Sequence, residues 1–200
     1  MKKQFVINIL IIGLFFSSPL LAQDNLSSDE LFQQARSAAF DQKNYKLAIE
    51  LCRKALIKSP NYADIRIFLG RIYTWSDKVD SARTEFDEVL RQHPDNEDGS
   101  SAYADLEYWN DNPTKALSIC ENGLKFHPHS KMLLLRKAKS LIELKRLEEA
   151  NVVINLLLKE DPKNAAARSI SDKIKDQSSK NKFGVSYDFI AFDKQFDNPW

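Results

Sequence analysis

Glycine is scarce, with 5 residues in 200, and no glycine-rich loop of the kind that cradles phosphate is formed. That excludes a nucleotide fold built on such a loop, and the lack of a GxSxG elbow excludes the hydrolases that depend on one. Net charge is almost absent too: 29 basic residues stand against 28 acidic ones, so the global balance points neither to nucleic acid nor to an acidic membrane surface. The 3 histidines, His93, His127 and His129, flank Pro94 and Pro128 without an HExxH-type partner. They read as loop and cap residues rather than metal ligands. With no catalytic constellation in view, we expect a binding protein without enzyme activity, metal or cofactor.

A long apolar run is also missing. Residues 5–16 are apolar apart from Asn8 and Gly13, well short of the ~20 residues that cross a bilayer. Lys2 and Lys3 precede this run, and Ser17-Ser18-Pro19 then Leu20-Leu21-Ala22 follow it. A positive segment, an apolar stretch, a break and a small residue make a secretory signal peptide, residues 1–22, cut after Ala22. No cysteine lies near the cut, so a lipid-modified N-terminus is not expected.

What the chain does have is regular punctuation. Pro60, Pro94, Pro128 and Pro162 recur every 34 residues, and Ala48, Ala82, Ala116 and Ala150 recur in phase with them. This pattern resembles the tetratricopeptide repeat, a helix–turn–helix unit of that period. The repeats read 29–62, 63–96, 97–130 and 131–164. The second matches the family pattern best, with Leu69-Gly70, Tyr73, Ala82, Phe86 and Pro94. The third has Tyr103-Ala104 at the Leu-Gly pair and carries Pro113 in its inter-helix turn. The first and fourth have Ala35-Arg36 and Lys137-Ala138, so close helix contact is least expected in the first repeat.

The expected fold is therefore all-α: a solenoid of four hairpins in a domain at 23–176, helical from Asp29 to Lys175, with a capping helix from Ala165. Turns are expected near 42–45, 77–79, 110–114 and 145–146. Cys52 and Cys120 hold the same repeat position two repeats apart. Helices pack ~8–10 Å apart and a disulfide needs Cα atoms within ~7 Å, so both read as free, buried, structural thiols.

The character changes after Asp176. Residues 177–182 form a polar linker, and Phe183, Val185, Tyr187 and Phe189 then alternate with smaller or polar residues at a strand period. Six of the last eighteen residues are aromatic. A signal peptide, repeats, a linker and then Lys182-Phe183-Gly184-Val185-Ser186-Tyr187 resemble the YaiO-type outer-membrane β-barrel proteins with an N-terminal repeat region. The resemblance implies that 183–200 opens a barrel and that the repeats lie in the periplasm at the outer membrane; one strand cannot close a barrel, so either the product is truncated or further strands follow Trp200.

The repeat resemblance also implies a concave groove lined by the first helix of each repeat. Its candidate residues are Phe40, Ile67, Arg71, Trp75, Asp105, Tyr108, Trp109 and Lys139, with Trp75 and Trp109 at equivalent positions of adjacent repeats. Aromatics beside alternating charges suit a protein or peptide partner, or a sugar ring stacked on indole. The same tryptophans could instead pack the ends of their helices. A peptide partner predicts sensitivity to Arg71, Lys139 and salt; a glycan, in polysaccharide export or handling, predicts dependence on Trp75 and Trp109 with little salt effect.

Overall fold

A computed structural model of the chain describes residues 26–180. The β-strand-like tail, its linker beyond Lys180 and the N-terminal export segment lie outside the described residues. The fold divides into a compact unit ending at Pro60 and another beginning at Asn61.

The first unit is one hairpin, α1 (Ser28–Phe40) packed on α2 (Tyr45–Lys58). Ser27 starts α1 with a capping box: its Oγ accepts from the Glu30 N–H at 3.2 Å, and the Glu30 carboxylate accepts from the Ser27 N–H at 2.8 Å. The contact face is mostly small, with Ala35, Ala38 and Ala39 against Ala48, Cys52 and Ala55, all buried. Close contact survives here despite Arg36, because neighbouring alanines carry it. Arg36 stays exposed, its guanidinium 5.9 Å from the centre of the Phe32 ring.

The second unit holds α3 (Ala63–Trp75), α4 (Val79–Gln92), α5 (Glu97–Trp109), α6 (Pro113–Phe126), α7 (Lys131–Glu143), α8 (Leu147–Glu160) and α9 (Ala165–Lys180). These are three hairpins and the capping helix. Besides packing within hairpins, α3 touches α5, α5 touches α7 and α7 touches α9, so the first helices form a continuous layer within this unit. All described secondary structure is helical, as the 34-residue phase predicts.

Proline explains where the second helices stop. Ser59, His93, His127 and Asp161 each precede an in-phase proline and have left the helix, with φ between −134° and −125° and ψ between 68° and 80°. The proline ring disfavours the helical region for its predecessor, so α2, α4, α6 and α8 all end one residue earlier. The first helices stop differently. Lys43, Asp77, Asp111 and Lys145, again 34 residues apart, take positive φ of 54° to 61°. In the second unit the next N–H then reaches back to the helix: Lys78 to the Tyr73 carbonyl at 2.8 Å, Asn112 to Glu107 at 2.9 Å and Arg146 to Leu141 at 2.9 Å. This is the Schellman closure, here without glycine.

Two expectations need correction. Pro113 does not sit in the turn but is the first residue of α6, where its missing N–H costs nothing and its fixed φ suits the helix. The polar linker does not begin at Gln177, because α9 continues through Lys180. Residues 176–180 contain neither proline nor glycine, and polarity alone does not stop a helix.

The interior alternates small and large. Gly70 faces Phe86; a Cβ built on Gly70 would lie 2.6 Å from the Phe86 ring. The equivalent pairs are Ala104 with Cys120 and Ala138 with Ile154, every one of these six residues buried. Cys52 and Cys120 thus hold the core position that Phe86 fills in the second repeat. Both are free and buried, and burial pushes the Cys120 thiol up to about 12. The last hairpin closes on α9 through Leu141, Ile154, Leu157, Ala167, Ile170 and Ile174.

Candidate functional site

The candidate face is the layer of first helices in the second unit. Trp75 ends α3 and Trp109 ends α5, the same position in successive repeats. Both are exposed, by 41% and 60%. Trp75 also packs edge-on against Phe68, with ring centres 6.4 Å apart, so its inner edge is anchored while its outer part meets solvent. Met132 at the start of α7 is 42% exposed. Large apolar side chains left in water at repeated positions are what a docking surface presents.

The charges of this face are arranged in pairs. Arg71 on α3 meets Asp98 at the start of α5 at 2.5 Å. Asp105 on α5 meets Arg136 on α7 at 2.5 Å. The Tyr108 hydroxyl donates to the Glu143 carboxylate at 3.3 Å, and Lys173 of α9 lies 3.5 Å from the same carboxylate. Burial, then the Glu143 charge, raises the Tyr108 pKa above its usual value and keeps the phenol protonated. Each pair joins a first helix to the next, so the charges couple neighbouring repeats.

The eight sequence candidates therefore separate. Trp75, Trp109 and Lys139 are exposed, and Tyr108 is partly so. Arg71 and Asp105 lie on the face but are engaged with Asp98 and Arg136. Ile67 does not belong: it is 1% exposed and serves the core. A β-branched aliphatic side chain flanked by Phe68 and Leu69 gains more from burial than from the surface. Phe40 is 46% exposed but belongs to the first unit and is described with that unit alone.

The sequence placed Asp98 and Glu143 on this face without their partners, and it missed Arg136 and Lys173. It also missed Glu107, which is fully buried at the position held by Tyr73 in the second repeat and Leu141 in the fourth. Arg83 of α4 donates to both its oxygens, at 2.7 and 2.9 Å; Asn112 donates at 3.1 Å, and Lys115 of α6 lies 3.0 Å away. Burial alone would raise the Glu107 pKa, but the Arg83 and Lys115 hydrogen bonds and charges outweigh it and hold the carboxyl below its usual range. One carboxylate thereby ties α4, α5 and α6 together, in the residue that precedes Tyr108 and Trp109 in the chain.

Comparison with known proteins fits this architecture. The sequence model of the tetratricopeptide repeat matches residues 39–106 and 110–174. No curated protein sequence matches the chain. Among solved structures, a tetratricopeptide repeat protein from Parabacteroides merdae aligns with a TM-score of 0.65 at 21% identity, over 75% of this chain and 60% of that one. The present chain thus spans about three fifths of that protein. A thermophilic repeat protein from Thermus thermophilus gives 0.60 at 15% identity, over 74% and 81% of the two chains. The first repeat domain of Spaghetti, bound to the HSP90 peptide SRMEEVD, gives 0.55 at 20% identity, over 58% and 93%. At these identities the likeness is one of fold. Four in-phase prolines, stacked hairpins and a sequence match over more than half its length place the chain in the tetratricopeptide repeat family.

Proposed function

We propose that this chain is an exported scaffold that receives a protein partner on the first-helix face of its second unit, and that it works in the periplasm tethered to an outer-membrane barrel. The repeat fold is a scaffold for protein–protein contact, and the Spaghetti repeat domain holds a peptide. The observation that carries the reading here is the pair of exposed tryptophans at equivalent positions, Trp75 and Trp109. Tryptophan is enriched among the residues that dominate binding energy, and a helix gains nothing by repeating it in water. Support for export and tethering comes from the order signal peptide, repeats, aromatic strand in the sequence.

A photo-crosslinking amino acid placed at Trp109 tests the docking face in cells. It should yield a discrete crosslinked partner, while the same group at Thr84, exposed on α4, should not. Equal crosslinking from both positions would remove the face from consideration. Trp109→Ala should abolish capture while costing under about 1 kcal/mol, because the side chain is 60% exposed. A cost of ~3–5 kcal/mol, typical of an emptied core aromatic, would assign Trp109 to packing instead. Fractionation of the full-length product, with gel mobility compared before and after boiling, tests the tether. A protein that stays in the soluble periplasmic fraction would leave a free adaptor.

A further inference from the structure

We infer that the partner segment taken by this face is an uncharged peptide in the extended polyproline conformation, with proline or other apolar residues three positions apart. The inference rests on the docking reading above and names the chemistry of its ligand.

Spacing is the first argument. Trp75 and Trp109 end adjacent, contacting helices at equivalent positions. Packed helix axes lie ~8–10 Å apart, so the backbone positions that carry the two indoles repeat at about that distance. A polyproline helix rises ~3.1 Å per residue with three residues per turn, which puts residues i and i+3 on one face about 9 Å apart. One turn of such a peptide therefore sets one residue on each indole. A β-strand presents same-face residues at roughly 6.6 Å and 13 Å, which straddle the platforms, and an α-helix comes near their spacing only at i and i+7, about 10.5 Å across two turns. Proline is also the residue whose rigid ring loses least freedom when pressed on an aromatic surface.

Charge is the second argument. Arg71 faces Asp98 and Arg136 faces Asp105, each at 2.5 Å, and Lys173 lies beside Glu143 at 3.5 Å. A ligand carboxylate approaching Arg71 meets Asp98 as well, and a ligand cation approaching Asp105 meets Arg136. Exposed Asp64 and Lys139 add one charge of each sign. The face therefore rewards neither sign. An acidic peptide such as SRMEEVD, held by the Spaghetti repeat domain, finds no uncompensated basic surface here.

The test is selection of a phage-displayed random dodecapeptide library on the full-length protein, with Trp109→Ala as counter-selection. Enriched peptides should be uncharged, with proline or aromatic residues at i and i+3. Their affinity should fall about tenfold or more in Trp109→Ala. It should change less than about twofold between low and high salt, since no ion pair forms across the interface. Helix content by circular dichroism confirms that the variant is folded; Trp109→Gln replaces it if not. Enriched peptides that are acidic or basic, depend on Trp109 and weaken with salt would overturn the ligand chemistry and leave the docking face intact. Enrichment that survives both tryptophan variants, or none at all, would overturn the docking face itself. Trp109-dependent binding of an oligosaccharide panel in place of peptide would overturn the peptide and retain the indole platform.

Discussion

Among the described residues, Glu107 is the one charged side chain that is buried. A carboxylate in a slot that the other repeats fill with Ala39, Tyr73 and Leu141 is tolerable only because Arg83, Asn112 and Lys115 surround it. Glu107→Gln removes the charge and keeps the shape, which should cost about 2–4 kcal/mol at pH 7. The lower end applies because Arg83 and Lys115 are themselves 32% and 41% exposed and regain some water. The sign with pH follows from the lowered pKa. Stabilisation is complete above the ordinary carboxylate value of 4.5 and is lost as pH falls through the lower folded value. Urea unfolding of parent and variant should therefore draw together as pH falls below 4.5; a gap that does not shrink over that range would contradict the assignment. Gly70 makes the complementary case. Gly70→Ala drives a methyl to 2.6 Å from the buried Phe86 ring, itself stacked 5.5 Å from Tyr103, and should cost about 1–3 kcal/mol. Adding Phe86→Leu should recover part of that loss, and the absence of any recovery would place the strain elsewhere.

Helix ends show unequal care. Asn44 and Asn112 cap α2 and α6 with side-chain bonds to the N–H groups of Leu47 and Lys115, at 3.1 and 3.3 Å. Lys78, with similar backbone angles before α4, has no side-chain cap. Lys78→Asn should supply one and raise stability by about 0.5–1.5 kcal/mol, read as a shift in the unfolding midpoint. A destabilised variant would mean that the Lys78 stem packs usefully where it is. At this scale the sequence was highly legible. Pro60, Pro94, Pro128 and Pro162 announced four helix ends because proline acts on its neighbour without tertiary context. The four left-handed turn residues were less legible, because lysine carries no signal for positive φ and aspartate only a weak one. Pro113 misled for a related reason: the same ring that ends one helix begins another. The face was partly legible. Trp75 and Trp109 stood out by phase, whereas Ile67 was buried by its neighbours and Arg71 was committed to Asp98, facts that only packing reveals.

The described residues form two compact units that meet in sequence at Pro60, the first of the in-phase prolines. In repeat proteins stability is a sum of local and nearest-neighbour terms, so different parts can open at different free energies. The first unit is a single hairpin whose contact face is mostly alanine; the second has three hairpins and a capping helix. Cys52 lies in the first and Cys120 in the second, at the same repeat position and both fully buried. In native buffer neither thiol should react with an alkylating reagent, and mass spectrometry of non-reduced protein should show both free. In rising urea Cys52 should be labelled first. A shared midpoint for both would instead reveal one cooperative block. The two sulfurs start from the same repeat slot, so their labelling order reads the order of opening once each rate is corrected for its neighbour, Arg53 or Glu121. The chain thus contains its own matched pair of clocks, and the interval between their two readings times the order in which its parts come undone.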